Sequence, residues 1–365
     1  MFGFKVELDG LNDLAAMVGR ATDDLVATQN YGNLIDSSGP FTGLLEVLQP
    51  RVERAVDQLL SEVASAVDVT DATAGAITSG AQWYAATDTA QAADLDAQLA
   101  DTPHTPIVER GTQNRLVDYA DVNEPTDRLV EPPGYDELMQ WKASIENDLF
   151  SVTSAVRELV RIVFGVDIFE PLLNGVSGDW REVRRISDRC ANIGRSCAGV
   201  ADNVARGRID SAADWEGDAA DSARSYLGSL IDGLNGEHLK AHHLASTLLD
   251  LSNGAFGMFE AISGLLSDCI DAGVEAVAAA SVAASAAPIP GINIIVTPTA
   301  AGWATYKAVQ FADAAKKTYD AYNDLVDFVA TIDAGLDLIH GGQLTVPDRD
   351  VSPLPAKPYD FPFPA

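Results

Sequence analysis

The chain is expected to be all-α, an elongated bundle of two antiparallel helical hairpins followed by a C-terminal Ala-rich helical region. Three observations predict this. Apolar residues recur at steps of three and four through most of the chain, the spacing that lines one face of a helix. A heptad occupies the centre, where Val183, Ile186, Cys190, Ile193, Cys197, Val200 and Val204 alternate steps of three and four, as the inner seam of a helical hairpin requires. Strand signals are almost missing, and the run Asn293 to Thr297 is the one candidate.

Residues 1–100 read as a first helical hairpin. Leu11, Leu14, Val18, Ala21 and Leu25 share a face of a helix from about Leu8 to Gln29, which the turn formers Asn30 to Asn33 and Asp36 to Pro40 bring to an end. Leu45, Leu48, Val52, Ala55, Leu59, Val63 and Ala66 open a second helix running to about Gln98, with Pro50 tolerated in its first turn. Its far half thins to Ala, Thr and Ser, so that end is expected to project beyond its shorter partner.

Residues 101–134 hold Pro103, Pro106, Pro125, Pro132 and Pro133 among many acids and read as a linker. The next unit spans 135–255. It opens with a helix from about Tyr135 to Val166, seamed by Leu138, Trp141, Ile145, Leu149, Val152, Val156 and Leu159, before the heptad helix. Gly207 and the segment Asp210 to Trp215 are expected to break that helix, and Ala219, Ala223, Leu227, Leu230 and Leu234 start another that runs to about Leu251.

The unit 256–340 is Ala-rich. No formal charge occurs between Glu275 and Lys307, but Pro288, Pro290, Gly291 and Pro298 cut the stretch into pieces shorter than the ~20 apolar residues of an unbroken membrane helix. The favoured reading is an Ala-rich helix, an extended loop from Ile289 to Thr297 and a further helix to about Ile339, all folded on the bundle; a membrane-inserting hairpin over 276–306 is the alternative. Residues 341–365 contain six prolines, too many for packing, and are expected to form an extended tail.

Composition narrows the function classes. With 365 residues and 47% apolar content the chain can build a sizeable core. Its 54 acids against 24 bases give a formal charge of -30, a field that repels phosphate backbones, so nucleic acid is not an expected partner. The segment Met1 to Glu7 lacks a basic n-region followed by an apolar h-region, so no Sec-type signal is read there. Cys190, Cys197 and Cys269 are odd in number, and the first two, seven residues apart on one helix, stand about 10 Å apart, beyond the ~7 Å limit for bridging. They are read as small core residues.

Two short signatures remain. Tyr84 and Asp88 form a Tyr-x-x-x-Asp pair on one side of a helix, and Trp215-Glu216-Gly217 sits in a chain reversal where Gly permits the turn and Trp fills the bundle end. Asp214 and Asp218 are candidate caps for the helix that follows. The turn of the first hairpin lies near 32–39, so Tyr84 falls towards its open end. If the second hairpin docks antiparallel, its Trp215 turn approaches Tyr84, making one surface patch at one tip.

These residues resemble the bipartite export signal of actinobacterial type VII (ESX) secretion substrates. Residues 1–100, ending in Trp83-Tyr84-Ala85-Ala86-Thr87-Asp88, are similar to the small EspC-type substrates; residues 178–255, with Asp214 to Ala220 as core, are similar to the WXG-type hairpin of WXG, PPE, EspB-like and EspA-like proteins. About half the chain is covered. The helix from Tyr135 to Val166 and the uncharged region after Glu275 have no counterpart in a minimal EspB-like module. The resemblance implies a secreted, non-enzymatic protein, virulence-associated and extracellular or in the cell envelope after synthesis in the cytoplasm. Tyr84, Asp88, Trp215 and Gly217 would be the signal read by a type VII ATPase or chaperone. A homo-oligomer is a further partner to test, and membrane contact is left open.

Chemistry by contrast finds little purchase. His238 and His242 stand at i and i+4, but no carboxylate occupies the His-Glu-x-x-His position, so no metal is assigned. Neither a Gly-x-Ser-x-Gly elbow nor a phosphate-cradling glycine loop occurs, so no catalytic residue and no cofactor are assigned. The alternatives carried forward are a delivery or translocation module of a secreted toxin system and a cytosolic enzyme with an unrecognised site.

Overall fold

Among the described residues five long helices make the frame: α1 (Leu8–Gly32), α2 (Gln49–Gln98), α3 (Trp180–Asp214), α4 (Asp218–Ser285) and α5 (Pro298–His340). The computed structural model describes residues 5–98 apart from 38 and 40, 119–137, isolated positions between 143 and 161, 179–285, 298–340, 346 and 351–361. The expected helix from Tyr135 to Val166 falls mostly outside the described residues; the positions described from 136 on are helical. The loop 289–297 and its candidate strand lie outside them altogether.

The seams identified from spacing on α1, α2 and α3 are buried. Leu11, Leu14, Val18, Ala21 and Leu25 of α1, the series Leu45 to Ala66 leading into and along α2, and the heptad of α3 are all at most 2% exposed. Each Leu, Val and Ile among them contributes roughly 1.5–3 kcal/mol when fully withdrawn from water, which is why the pattern decides the fold. Pro50 sits in the first turn of α2, where its missing N–H removes no helix bond.

Antiparallel pairing runs throughout. α1 folds back on α2, with Gly32 against Leu60. Across α1 and α3, the Thr28 hydroxyl meets the Ser196 hydroxyl at 2.7 Å, and Gly10 lies against Asp214. α3 opposes the first half of α4 through Ser187 to the Ala245 carbonyl, 2.6 Å, and Gly194 against Ala241. The second half of α4 is covered by α5, where Lys307 pairs with Glu275 at 2.5 Å and the Thr318 hydroxyl donates to the Leu265 carbonyl. α2 meets α4 at Glu62 and Lys240, while α5 returns to the start of α2 through Asp333 and Arg51.

Four expectations are corrected. Gly207 does not break α3: the helix runs through it to Asp214, and the absent Cβ leaves room for the Met17 side chain of α1. α4 does not stop near Leu251 but continues as one 68-residue helix to Ser285. Two of its glycines are covered by α5, the Phe328 ring filling the space above Gly254 and Phe311 lying beside Gly273. Strand pairing exists, but as a two-residue antiparallel ladder of β1 (Lys5–Val6) and β2 (Trp215–Glu216), with Lys5 opposite Glu216 and Val6 opposite Trp215.

The proline-rich tail is the fourth correction. It is extended, as expected, yet it packs. Residues 351–361 run along α4 antiparallel to it, from Ser352 above Gly236 and Leu354 above Gly233 to Phe361 above Gly80 of α2. Tyr359 and Phe361 are 6% and 3% exposed with Asp360 between them exposed, the two-residue alternation of an extended chain on a surface.

The acidic segment after α2 also packs where it is described. Asn203 of α3 accepts from the backbone N–H groups of Val122 and Asn123 and donates to the Asn123 carbonyl. The Tyr31 hydroxyl donates to the Val130 carbonyl at 2.6 Å and accepts from Asn192. Glu131 draws in Arg185 and Arg189. For the stretch 276–306, among the described residues no helix is long and apolar enough to cross a membrane.

Candidate functional site

The pole where α1 begins, α3 turns into α4 and α2 passes brings Tyr84 and Trp215 together. α3 ends at Asp214, and Trp215 and Glu216 leave it in extended conformation. Gly217 then takes φ 123°, a region that side-chain-bearing residues enter only with strain. Its carbonyl accepts from the Asp221 N–H at 3.0 Å, the first bond of α4. Asp218 and Asp221 stand in that first turn, where the helix dipole favours negative charge. The expected cap Asp214 does other work. Buried, it accepts from the Tyr119 hydroxyl at 3.3 Å, while its carbonyl takes the Glu7 N–H at 2.8 Å and so ties the entry of α1 to this turn.

Gly217→Ala places a Cβ on that positive-φ backbone and is expected to cost about 1–3 kcal/mol, read as a lowered urea midpoint with an unchanged m-value. The Trp215 carbonyl accepts from Arg224 Nη1, 2.8 Å, which holds the reversal from the α4 side.

Trp215 is 1% exposed and fills the bundle end. Its indole N–H is buried with no acceptor among the described residues. The indole does not touch the Tyr84 ring through a direct stack; Phe361 stands between them. The Phe361 ring lies parallel to Trp215, centroids 6.2 Å apart at 6°, and meets Tyr84 edge-on at 5.7 Å and 83°. Trp83 packs edge-on against Tyr84 at 5.1 Å. Gly80, one turn before Tyr84, is the floor of the slot: a Cβ there would stand 2.2 Å from the Phe361 ring.

The two signatures therefore share one pole, but the surface patch expected from them is not open. Tyr84 is only 9% exposed, and the tail covers both rings. Asp88 follows Tyr84 by one turn on α2, which continues to Gln98; its side chain lies outside the described residues. Among the described residues, sequence inspection missed Phe361, Tyr359, Tyr119 and Arg224. Tyr359-x-Phe361 carried the one usable signal, an aromatic pair at strand spacing within a proline-rich segment.

Tyr359 anchors the tail beside this slot. Its hydroxyl donates to the Ala219 carbonyl at 3.2 Å, and burial pushes its phenol up to about 12. The Tyr226 hydroxyl of α4 donates to the Lys357 carbonyl at 2.9 Å.

Elsewhere, the titratable groups show no convergence on a metal. The rings of His238 and His242 stack 6.2 Å apart, and among the described residues no group of three or more His, Cys, Asp or Glu could hold an ion. Cys190, Cys197 and Cys269 are buried free thiols. Burial pushes the first two up to about 12 and the third to about 11, which keeps them protonated and unreactive. A cavity of about 280 Å³ opens between α3 and the segment 123–128, its wall mixing Arg128 and Arg195 with Glu124 and Asp202 beside His238.

No protein-family model, curated protein or solved structure matches the chain.

Proposed function

We propose that the protein is a non-enzymatic substrate of a type VII secretion system that carries both halves of its export signal, Tyr84 with Asp88 and Trp215 with Gly217, at one pole of a helical bundle. The observation that supports this reading is the convergence of Tyr84 and Trp215, distant in sequence, on a single ring, Phe361. A recognition element split between two distant segments works only where the fold reunites them. The strongly acidic chain and the α2 extension past Tyr84 are consistent with a helical end offered to secretion machinery.

The test is export from cells that carry such a system. Asp88→Ala is expected to abolish release into the medium while leaving the far-UV CD spectrum and thermal midpoint of the purified protein unchanged. Normal release of both Asp88→Ala and Tyr84→Ala would end the proposal.

A further inference from the structure

The bundle carries a groove between α2 and α4 that is shaped for an extended peptide, and the last described residues of the chain occupy it. Three glycines line its floor. At Gly236 a Cβ would stand 2.4 Å from the Ser352 carbonyl oxygen, at Gly233 2.8 Å from the Leu354 Cα, and at Gly80 2.2 Å from the Phe361 ring. The nearest approaches at the first two are to backbone, so a Cβ at either glycine would push the chain itself out of the groove. Tyr226 reads a backbone carbonyl of the tail, and the Ala219 carbonyl takes a phenol. Side-chain selection is concentrated in two pockets two residues apart, filled by Tyr359 and Phe361.

The occupant is the kind of segment that can leave. Of residues 351–361 only Tyr359 and Phe361 are buried, the others being half-buried or exposed, and none lies in a helix or strand. Segments with so few buried apolar contacts open at low local free energy. Pro353, Pro355 and Pro358 preset extended backbone, which lowers the ordering entropy of binding and lets such a peptide dock without prior folding. When it leaves, the slot formed by Gly80, Tyr84 and Trp215 is uncovered, together with the buried indole N–H that lacks an acceptor among the described residues.

We propose that this groove is a peptide-binding site, held shut in cis by the chain's own tail, whose partner is an extended, proline-flanked peptide with two aromatic residues spaced as Tyr359 and Phe361 are. This goes beyond the export reading and stands without it. The tail acts as a tethered competitor. Attachment within one chain sets an effective concentration that is of order millimolar for short linkers, so a peptide in trans binds the intact chain weakly and a tail-released chain well.

The experiment uses the full chain and a fluorescein-labelled synthetic peptide with the sequence of residues 351–361, followed by fluorescence anisotropy. The Tyr359→Ala/Phe361→Ala chain is expected to bind it at least about ten-fold more tightly than the wild-type chain does. Adding Gly80→Val, which fills the ring slot, is expected to remove that gain, and a peptide with alanine at both aromatic positions is expected not to bind. Equal binding by wild-type and tail-released chains, or binding of the alanine peptide as tight as that of the aromatic one, overturns the proposal. Should the double variant fail to fold, hydrogen exchange on the wild-type chain decides: millimolar peptide is expected to accelerate exchange across 351–361 by displacing the tail, and unchanged exchange overturns it.

Discussion

Trp215→Ala is expected to lower the unfolding free energy by about 3–5 kcal/mol, the range for deleting a large buried aromatic, read from urea denaturation. Three things fail together. The 1%-exposed indole leaves a void at the bundle end, Phe361 loses the ring it stacks on, and the β1–β2 ladder loses the side chain opposite Val6. The first two are coupled, because the Phe361 ring lies on the indole itself. A double-mutant cycle of Trp215→Ala with Phe361→Ala is therefore expected to show a coupling of about 0.5–1.5 kcal/mol, the worth of an aromatic pair beyond its area. Additive effects would mean that the tail does not sit on the indole.

The second large effect depends on pH. Glu237 of α4 is 1% exposed and pressed against Glu62 of α2, with Lys240 bonded to both, at 2.9 Å and 2.7 Å. Burial, reinforced by the neighbouring Glu62 carboxylate, pushes Glu237 up to about 8. Glu62 moves down: burial opposes that change but is outweighed by its hydrogen bonds to Glu237 and Lys240. One proton thus stays with Glu237 while Glu62 and Lys240 keep their charges. Because the folded state holds that proton and the unfolded chain releases it near the ordinary glutamate value of ~4.3, Glu237's contribution to stability is fully present below that value. It falls as pH rises and is gone above about 8.

Replacing the carboxyl with an amide, Glu237→Gln, keeps the hydrogen bonding and removes the proton. Between pH 5 and 8 the wild type is expected to lose roughly 3 kcal/mol more than Glu237→Gln does. That figure takes ~1.36 kcal/mol for each pH unit over which the folded state alone holds the proton, discounted because the folded state begins to release it as pH nears 8. The comparison isolates this group from two others that titrate nearby. Asp24, pushed up to about 6 mainly by burial, adds a loss of the same sign at lower pH. His243, pushed down mainly by burial, contributes a gain as pH rises through the ordinary histidine range. Parallel pH profiles for wild type and variant would show that Glu237 is ionised throughout.

Much of this arrangement is legible in the amino-acid order. Steps of three and four mark the buried faces of α1, α2 and α3 residue by residue, because burial on a helix leaves a periodic trace. The chain reversal at Trp215 and Gly217 is legible too, since a positive φ calls for glycine. Antiparallel docking of the two hairpins then places Tyr84 near that turn. What stays hidden depends on contacts between distant segments. Gly207 has the look of a breaker until Met17 arrives beside it, and nothing local in α4 tells that α5 will cover Gly254. In the tail the prolines mask the aromatic alternation of Tyr359 and Phe361. Proline forbids helix and inner strand, but it does not forbid an extended segment from docking two rings.

Phe361 joins Tyr84 to Trp215, and NMR of the chain with selectively labelled aromatic rings measures this directly. Nuclear Overhauser contacts from the Phe361 ring to both the Tyr84 ring and the Trp215 indole are the expected result. Absence of either contact, with the chain folded, would contradict the convergence of the two signatures at one pole.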